Sequence, residues 1–222
     1  MRGQLYRYCS NRTEFGVCNW LVLTDDPHDL CIACRLNRTI PNQSREENQR
    51  RWMVLERAKK RLVYTLQLLS LPLINGWDDP ERGLLFAFIE DSRSSSQVPE
   101  TFVSTGYLGG VITINALEAD DVARAAARDE LHESYRTVLG HLRHESGHYY
   151  WSFLDPSSSI LMDFRSVFGD ERSDYAAALA RHYENGPPAN WQNEYISAYA
   201  SAHPSEDWAE CWGHYLHIYD AL

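Results

Sequence analysis

The chain has 222 residues, of which 44% are hydrophobic, and its formal net charge at pH 7 is −10. This length and composition predict one main domain with a sizeable core and a small appendage. The acidic balance argues against a nucleic-acid partner and against an anionic membrane surface, because both select basic proteins. Residues 1–6 do not form a signal peptide, and no apolar stretch reaches membrane-spanning length, so we expect a cytoplasmic protein without a membrane partner.

A cysteine cluster marks the beginning of the chain. Four of the five cysteines lie within residues 1–40, namely Cys9, Cys18, Cys31 and Cys34. In a reducing compartment, such a cluster is typical of metal binding rather than of disulfides. The last two form a C-x-x-C knuckle, and two strands of a hairpin can carry the other pair to the same ion. We predict a zinc-ribbon-like segment in which the four cysteines hold structural zinc, with unpaired or redox-active thiols as the alternative.

The next element is a long helix. Ser44 and Glu47 match a capping box, which predicts a helix start. Apolar residues then recur at helical spacing to about Leu69, and Pro72 is expected to stop the helix. Charged residues occupy the remaining faces of this helix, and the basic run at 57–61 is interpreted as a solvated face rather than as a binding patch.

Strand patterns follow the long helix. Residues 84–89 are apolar and aromatic, residues 101–104 alternate weakly, and residues 111–115 alternate with β-branched side chains. These three stretches predict a small antiparallel or mixed sheet. Residues 118–130 are rich in alanine and charge, and we interpret them as a turn into a helix.

The remainder of the chain has mostly helical patterns. Helices are predicted at residues 134–154, 160–168, 170–183, 191–199 and 205–219. The elements together indicate an α+β fold. We expect a mostly helical domain with a small β-sheet at residues 41–222, preceded by the Cys-rich segment at residues 1–40.

The helix predicted at 134–154 carries the motif H-E-x-x-H. Residues four apart lie on one helix face, so His144 and His148 can direct two imidazole nitrogens at one ion. Glu145 lies about 100° round the helix, where its carboxylate can hydrogen-bond a metal-bound water. This is the arrangement of zinc proteases. A chance match is the alternative, and the position of the motif inside a strong helical pattern argues against it.

A zinc hydrolase needs a third protein ligand and one open position for water. The class with a third His six residues after the second is excluded, because that position is Leu154. The other class takes a Glu from a later helix and an acidic residue one turn on. Glu206 fits as the ligand, and Glu210 fits as the partner of the free ring nitrogen of a ligand His. The alternatives for the third ligand are His203, His214 and Asp207.

A donor for the developing oxyanion is also required. Tyr199 lies seven residues before Glu206, and its phenol could fill this role. The alternative is a core tyrosine, since the chain has thirteen. A histidine such as His203 or His214 is the other candidate for the same role.

Several stretches carry a resemblance to a known family. They are residues 55–62, 112–121, 135–141, 143–151, 168–172 and 203–210. In these stretches the chain resembles the bacterial zinc-binding metallopeptidases that join an N-terminal zinc-ribbon-like segment to an H-E-x-x-H domain. The match runs nearly end to end. Taken together the stretches are specific, whereas H-E-x-x-H alone would not be.

The resemblance implies a zincin-like domain of the glutamate-zincin, or gluzincin, type. It implies that the zinc ligands are His144, His148 and Glu206 and that Glu145 is the base. A wider set of such proteases also carries a tyrosine at the offset of Tyr199 and an acidic residue at the offset of Glu210.

The chain departs from the family pattern at two places. Cys211 stands where a threonine or a similar residue is expected, and we expect this to affect packing only. The resemblance also implies relatives that continue beyond the position of Leu222; if residues are missing from this chain, part of a substrate-cleft wall is missing with them.

The predicted function is that of a zinc-dependent metallopeptidase with one catalytic and one structural zinc ion. Glu145 would act as general base on a zinc-activated water, and the partner would be a peptide or protein substrate. One alternative is a non-catalytic zinc-binding protein-interaction module on a zincin scaffold. The intact Glu145 counts against it, because a retired site has no need of the base. Another alternative is a metal-dependent enzyme that acts on a non-peptide bond.

Overall fold

The structure is a computed structural model that describes residues 3–121, 123–125, 137–154 and 159–222. The chain divides into two compact units, Met1–Leu142 and Arg143–Leu222. Helices dominate and the sheets are small, so the predicted α+β class is confirmed. Within the described ranges, no helix is long and apolar enough to cross a membrane.

The Cys-rich segment is built from four short elements. They are β1 (Tyr6–Tyr8), α1 (Ser10–Thr13), β2 (Leu21–Leu23) and α2 (Ile32–Arg35). The strands β1 and β2 pair antiparallel, with Tyr6 opposite Leu23. Cys9 follows β1 directly and Cys18 precedes β2, so this hairpin carries one pair of cysteines as predicted.

The long helix α3 spans Glu46–Leu68, close to its predicted bounds. The predicted capping box is wrong, because Arg45 is the N-cap and makes no side-chain cap bond. The hydroxyl of Ser44 instead donates to Oδ1 of Asn42 at 2.8 Å. The helix ends at Leu68, and Ser70, at φ 54° in the left-handed region, turns the chain away before Pro72 is reached.

The expectation that the basic run at 57–61 is solvated is wrong at Lys59 and Lys60, which are buried together with Glu56. Glu56 and Lys59 are fully buried, and Lys60 is 4% exposed. Oε1 of Glu56 lies 2.7 Å from Nζ of Lys59 and 3.4 Å from Nζ of Lys60. These ion pairs satisfy charges that would be costly to bury alone. Arg57 and Arg61 are exposed, as expected.

A four-stranded mixed sheet completes the first unit. Its strands, in spatial order, are β3 (Asn37–Thr39), β4 (Leu85–Ile89), β6 (Val111–Asn115) and β5 (Gly106–Leu108). The pairs β3–β4 and β4–β6 are parallel, and β5–β6 is antiparallel. The strand predicted at 101–104 is wrong. The strand that pairs with β6 is β5 instead. Gly109 and Gly110, at φ 54° and 82°, form the tight turn that joins β5 to β6.

In the described residues that follow the sheet, the longer elements are helices. They are α4 (Val138–Trp151), α5 (Ser159–Phe168), α6 (Tyr175–Asn185) and α7 (Pro204–Ala221). The predictions at 160–168 and 205–219 are confirmed. Most of the helix predicted at 118–130, and the first residues of the one predicted at 134–154, lie outside the described residues.

Two helix predictions in this half need correction. The helix predicted at 170–183 begins later, because Asp174 is its N-cap and accepts a hydrogen bond from the backbone N–H of Ala177. The helix predicted at 191–199 is wrong. Only short 3₁₀ turns form, at Trp191–Asn193 and Tyr199–Ala202.

Aromatic side chains form the core of the second unit. The ring of Phe164 on α5 packs 4.3 Å from Trp151 of α4 and 6.0 Å from Trp208 of α7, measured between centroids. Tyr150 stacks on Trp212 at 4.9 Å. Aromatic contacts therefore hold α4, α5 and α7 against one another and fix the positions of the polar groups that these helices carry.

Candidate metal centres

The four cysteines of the N-terminal segment converge on one point, and we call them the four-cysteine cluster. All four are buried, none forms a disulfide, and their sulfur atoms lie within 4.8 Å of one another. Sγ of Cys18 lies 3.8 Å from Sγ of Cys31. Sulfurs placed about 2.3 Å from a tetrahedral zinc ion are about 3.8 Å apart, so the cluster fits zinc. The backbone N–H of Cys31 also donates to Sγ of Cys9 at 3.3 Å, a contact that favours a thiolate.

The second centre lies on α4. Nε2 of His144 and Nε2 of His148 are 3.3 Å apart, as expected for residues one helical turn apart on one face. Glu145 is 8% exposed, and one of its oxygens lies within 4.8 Å of both imidazoles. The structure therefore brings together the three residues of the motif in the predicted arrangement.

A glycine inside the motif sets the distance between α4 and α7. A Cβ atom on Gly147 would lie 3.0 Å from Cα of Ala209 and 3.2 Å from Cβ of Trp212. The indole N–H of Trp208 donates to the Gly147 carbonyl at 2.9 Å, and that of Trp212 donates to Oγ of Ser146 at 3.0 Å. This close and hydrogen-bonded packing brings the first turn of α7 to the histidine pair.

This packing places Glu206 beside the two histidines. Its Oε2 lies 3.1 Å from Nε2 of His144, and its Oε1 lies 3.6 Å from Nε2 of His148. Glu206 is 1% exposed, and when His144 carries its proton on Nδ1, Oε2 of Glu206 has no hydrogen-bond donor among the described residues. A buried carboxylate oxygen without a donor, next to two imidazole nitrogens, is what a metal ion would complete. Burial raises the pKa of Glu206, but the two histidines outweigh it and hold that pKa below its usual range.

Glu210 lies one turn further along α7. Its Oε1 is 2.7 Å from Nδ1 of His144. A carboxylate at Nδ1 favours the tautomer that leaves the Nε2 lone pair for a metal ion. Burial lowers the pKa of His144, whereas Glu206 and Glu210 raise it, and together the protein groups place that pKa at about 10.

The alternative third ligands make other contacts. Nδ1 of His203 accepts from the Ser205 backbone N–H at 3.1 Å and caps α7, while its Nε2 lies 3.2 Å from the Ser173 carbonyl. Nδ1 of His214 lies 2.8 Å from the carbonyl of Glu210. Oδ1 of Asp207 accepts from Sγ of Cys211 at 3.7 Å. Each of the three is thus engaged away from the histidine pair of α4.

Two tyrosines lie beside the histidine pair. The ring centroid of Tyr199 is 6.0 Å from that of His144, and burial, together with Glu206, raises the pKa of Tyr199. The hydroxyl of Tyr175 donates to Oε1 of Glu206 at 2.7 Å. Tyr175 is the first residue of α6, and the sequence analysis did not identify it as a site residue. The Asp174 cap was the signal that could have placed it at a helix start.

A cluster of four cysteines and a cluster of two histidines with a glutamate have the ligand types that zinc-binding proteins use, and each cluster could hold a metal ion. Residues 48–222 match the family described as "Putative zinc-binding metallo-peptidase", and residues 1–45 match the "zinc-ribbon domain" family. The chain belongs to that metallo-peptidase family and carries an N-terminal zinc ribbon, so the resemblance seen in the sequence is confirmed. The domain boundary at residue 40 stays a prediction.

Curated relatives come from mycobacteria. Proteins of Mycobacterium bovis and Mycobacterium tuberculosis, each called uncharacterized, are 44% identical to this chain over 215 residues. The matched region covers 96% of this chain and 61% of each relative, so the chain spans about three fifths of the length of these proteins. No solved structure matches the chain.

Proposed function

We propose that this chain is a zinc-dependent peptidase that hydrolyses peptide bonds in a peptide or protein substrate. The observation that carries the proposal is the convergence of His144, His148 and Glu206, with a buried Glu206 oxygen that has no donor among the described groups when His144 carries its proton on Nδ1. Membership of a metallo-peptidase family supports the same activity. Catalytic zinc would bind these three residues, and the four cysteines would hold structural zinc.

In the proposed reaction, zinc and the protein side chains have different roles. When bound, zinc would lower the pKa of water toward neutrality and polarise the scissile carbonyl. Glu145 would take the proton of the attacking water and deliver it to the leaving amine. Glu210 would keep His144 in the tautomer that presents Nε2.

The two tyrosines would have different roles. Tyr199 would donate a hydrogen bond to the oxyanion that develops on the substrate, and its raised pKa keeps its proton available over the working pH range. Tyr175 would hold the Glu206 carboxylate in place through its 2.7 Å hydrogen bond. The protein would act in a reducing compartment such as the cytoplasm, since its four buried thiols are unbridged.

Metal content tests the ligand sets first. Mass spectrometry of the purified chain is expected to find two zinc ions, with His148→Ala and Cys31→Ser each losing a different one. One zinc ion, lost only in Cys31→Ser, would mean that the His144–His148 pair holds no metal. The non-catalytic interaction module would then be the better interpretation.

The role of Glu145 is tested separately. Glu145→Gln should keep both zinc ions and reduce peptide hydrolysis by about 10²- to 10⁴-fold, because it removes the general base and retains the shape of the side chain. A panel of peptide and ester substrates should be used for the wild type. Hydrolysis of esters alone would favour an enzyme that acts on a non-peptide bond, and equal peptide hydrolysis by the variant would refute the mechanism.

A further inference from the structure

A cleft with a positive lining lies in the first unit, beside the zinc ribbon. Its volume is about 430 Å³. The cationic residues that line it are Arg12, Arg57, Lys60 and Arg61. None of the described residues that line it is acidic. This concentration of positive charge is unexpected on a chain whose net charge is −10. We call this feature the basic cleft.

One wall of the basic cleft is a single face of α3. Arg57 and Arg61 are one turn apart, and Met53 and Tyr64 continue the same face on either side. Like charges at this spacing destabilise a helix by about 0.2–0.5 kcal/mol. Helix stability therefore does not explain why the cations share one face.

The neighbouring groups of the chain account for only part of this charge. Nζ of Lys60 donates to the Val17 carbonyl at 3.1 Å and lies 3.4 Å from Glu56, so Lys60 is satisfied internally. The guanidinium of Arg12 lies over the ring of Tyr8. Arg57 is exposed and has no hydrogen bond or ion pair within the described part of the chain. At least one cation of the cleft is thus available to a ligand.

The lining of the cleft is also partly aromatic. Trp20 of the ribbon and Tyr64 of α3, which is 48% exposed, line the cleft together with Met53. Aromatic rings and methionine contact apolar side chains, and arginine forks bind carboxylates. The lining therefore suits a peptide that combines acidic and apolar residues.

We propose that the basic cleft binds an acidic peptide segment of a partner protein, with a carboxylate on Arg57, in the positive field of the neighbouring cations, and an apolar side chain on Tyr64. A volume of about 430 Å³ accommodates a few side chains rather than a nucleic-acid backbone. The charge of −10 over the whole chain opposes a polyanion that extends beyond the cleft. This inference does not depend on the proposed peptidase activity, because binding at the cleft needs no catalysis.

Fluorescence anisotropy with labelled peptides tests the proposal on the full zinc-loaded chain. The probe is a peptide of alternating Glu and Asp with one central Phe, and its reference replaces Glu by Gln and Asp by Asn. The acidic peptide should bind about tenfold more tightly at about 50 mM salt, and the preference should shrink at about 300 mM salt. Repeating the titration with Glu145→Gln protein, which cannot cleave the probe, separates this result from the outcome for peptidase activity.

Substitutions then locate the site. Arg57→Glu should weaken binding of the acidic peptide by about tenfold, and the milder Arg57→Gln by about threefold. Arg38→Glu is the matched control, since Arg38 is exposed on β3 outside the cleft and its replacement changes the net charge equally. The control variant should bind as the wild type does.

Three results would overturn the proposal. The first is equal affinity of the wild type for the acidic and the neutral peptide. The second is equal weakening by Arg57→Glu and Arg38→Glu. The third is tighter, Arg57-dependent binding of a single-stranded DNA oligonucleotide, which would make the ligand a nucleic acid. Zinc content measured on each variant verifies that the ribbon is intact.

Discussion

Replacing Gly147 by alanine is expected to loosen the catalytic metal centre without touching any metal ligand. The added Cβ would lie 3.0 Å from Cα of Ala209 and 3.2 Å from Cβ and Cδ1 of Trp212. The first of these contacts is with the backbone of α7, which cannot rotate away. The helices α4 and α7 must therefore separate by a few tenths of an ångström, and Glu206 moves away from the histidines with α7.

The magnitude follows from two opposing terms. Overpacking of a tight contact costs about 1–3 kcal/mol. Alanine inside a helix is more favourable than glycine by about 1 kcal/mol. Because the contact at Gly147 includes backbone, we expect the first term to dominate and the variant to be about 1–2 kcal/mol less stable. We also expect the affinity for the catalytic zinc to fall by about tenfold, as it does when the support of a ligand is disturbed.

Urea unfolding followed by tryptophan fluorescence measures the stability, and competition with a chromophoric chelator measures the zinc affinity. The matched control is Gly213→Ala on α7. Its Cβ would lie 3.5 Å from the backbone nitrogen of His144, an ordinary van der Waals contact. That variant should equal the wild type or exceed it by up to about 1 kcal/mol.

The comparison of the two variants decides the result. The prediction is refuted if Gly147→Ala and Gly213→Ala unfold at the same urea concentration and the zinc affinity of Gly147→Ala is unchanged. Such a result would mean that the approach of α7 to α4 is not what positions Glu206. Loss of zinc from the four-cysteine cluster in Gly147→Ala would equally contradict it, because that centre should be unaffected.

Three further predictions concern the polar groups that support the two units. Glu210→Gln should weaken catalytic zinc by about 10- to 100-fold and leave the zinc of the four-cysteine cluster in place, as chelator competition would measure; an equal loss at both centres would contradict this role. Glu56→Gln should destabilise the first unit by about 3–5 kcal/mol in urea unfolding, because Lys59 stays buried without its counter-charge; unchanged stability would show that the pair is dispensable. Burial raises the pKa of Asp91, but hydrogen bonds from Arg93 and from backbone N–H groups outweigh it and hold the pKa at about 2, against an ordinary 3.8. This carboxylate therefore stabilises the fold above its ordinary pKa, and the contribution is lost as the pH falls through the lowered one. Asp91→Asn should cost about 1–2 kcal/mol at pH 7, and its difference from the wild type should shrink steadily as urea titrations are repeated at lower pH; a pH-independent difference would contradict the assignment.

The local motifs were predictable because their geometry is set by one element. H-E-x-x-H places His144 and His148 on one face of any helix that contains it, whatever the remainder of the fold does. The knuckle at Cys31 and Cys34 is equally local. The structure adds the distances, which are 3.3 Å between the imidazole nitrogens and at most 4.8 Å among the four sulfurs.

The third ligand depends on packing between helices, which spacing along the chain does not determine. Glu206 and Asp207 are adjacent in sequence and both lie in the first turn of α7. The close packing of α7 against Gly147 decides which of the two reaches the metal centre. It places Glu206, rather than Asp207, beside Nε2 of His144. The sequence argument for Glu206 consequently relied on a class of protease rather than on geometry. Tyr175 was missed for the same reason, because its contact with Glu206 joins α6 to α7 across 31 positions of the sequence.

The basic run of α3 was predicted to be solvated, but Lys59 and Lys60 are buried. The physical cause of this difference also explains why Arg57 is exposed in the basic cleft. A run of charged residues on a long helix is normally solvated, because burying a charge is unfavourable unless a partner is supplied. In this chain Glu56 is that partner for Lys59 and Lys60, and its Oε1 also lies 3.4 Å from Sγ of Cys34. The ribbon therefore packs on the charged face of α3 and divides its cations into two groups. Those paired with Glu56 become buried, and Arg57, which Glu56 does not reach, remains at the surface, where its charge is available to a ligand.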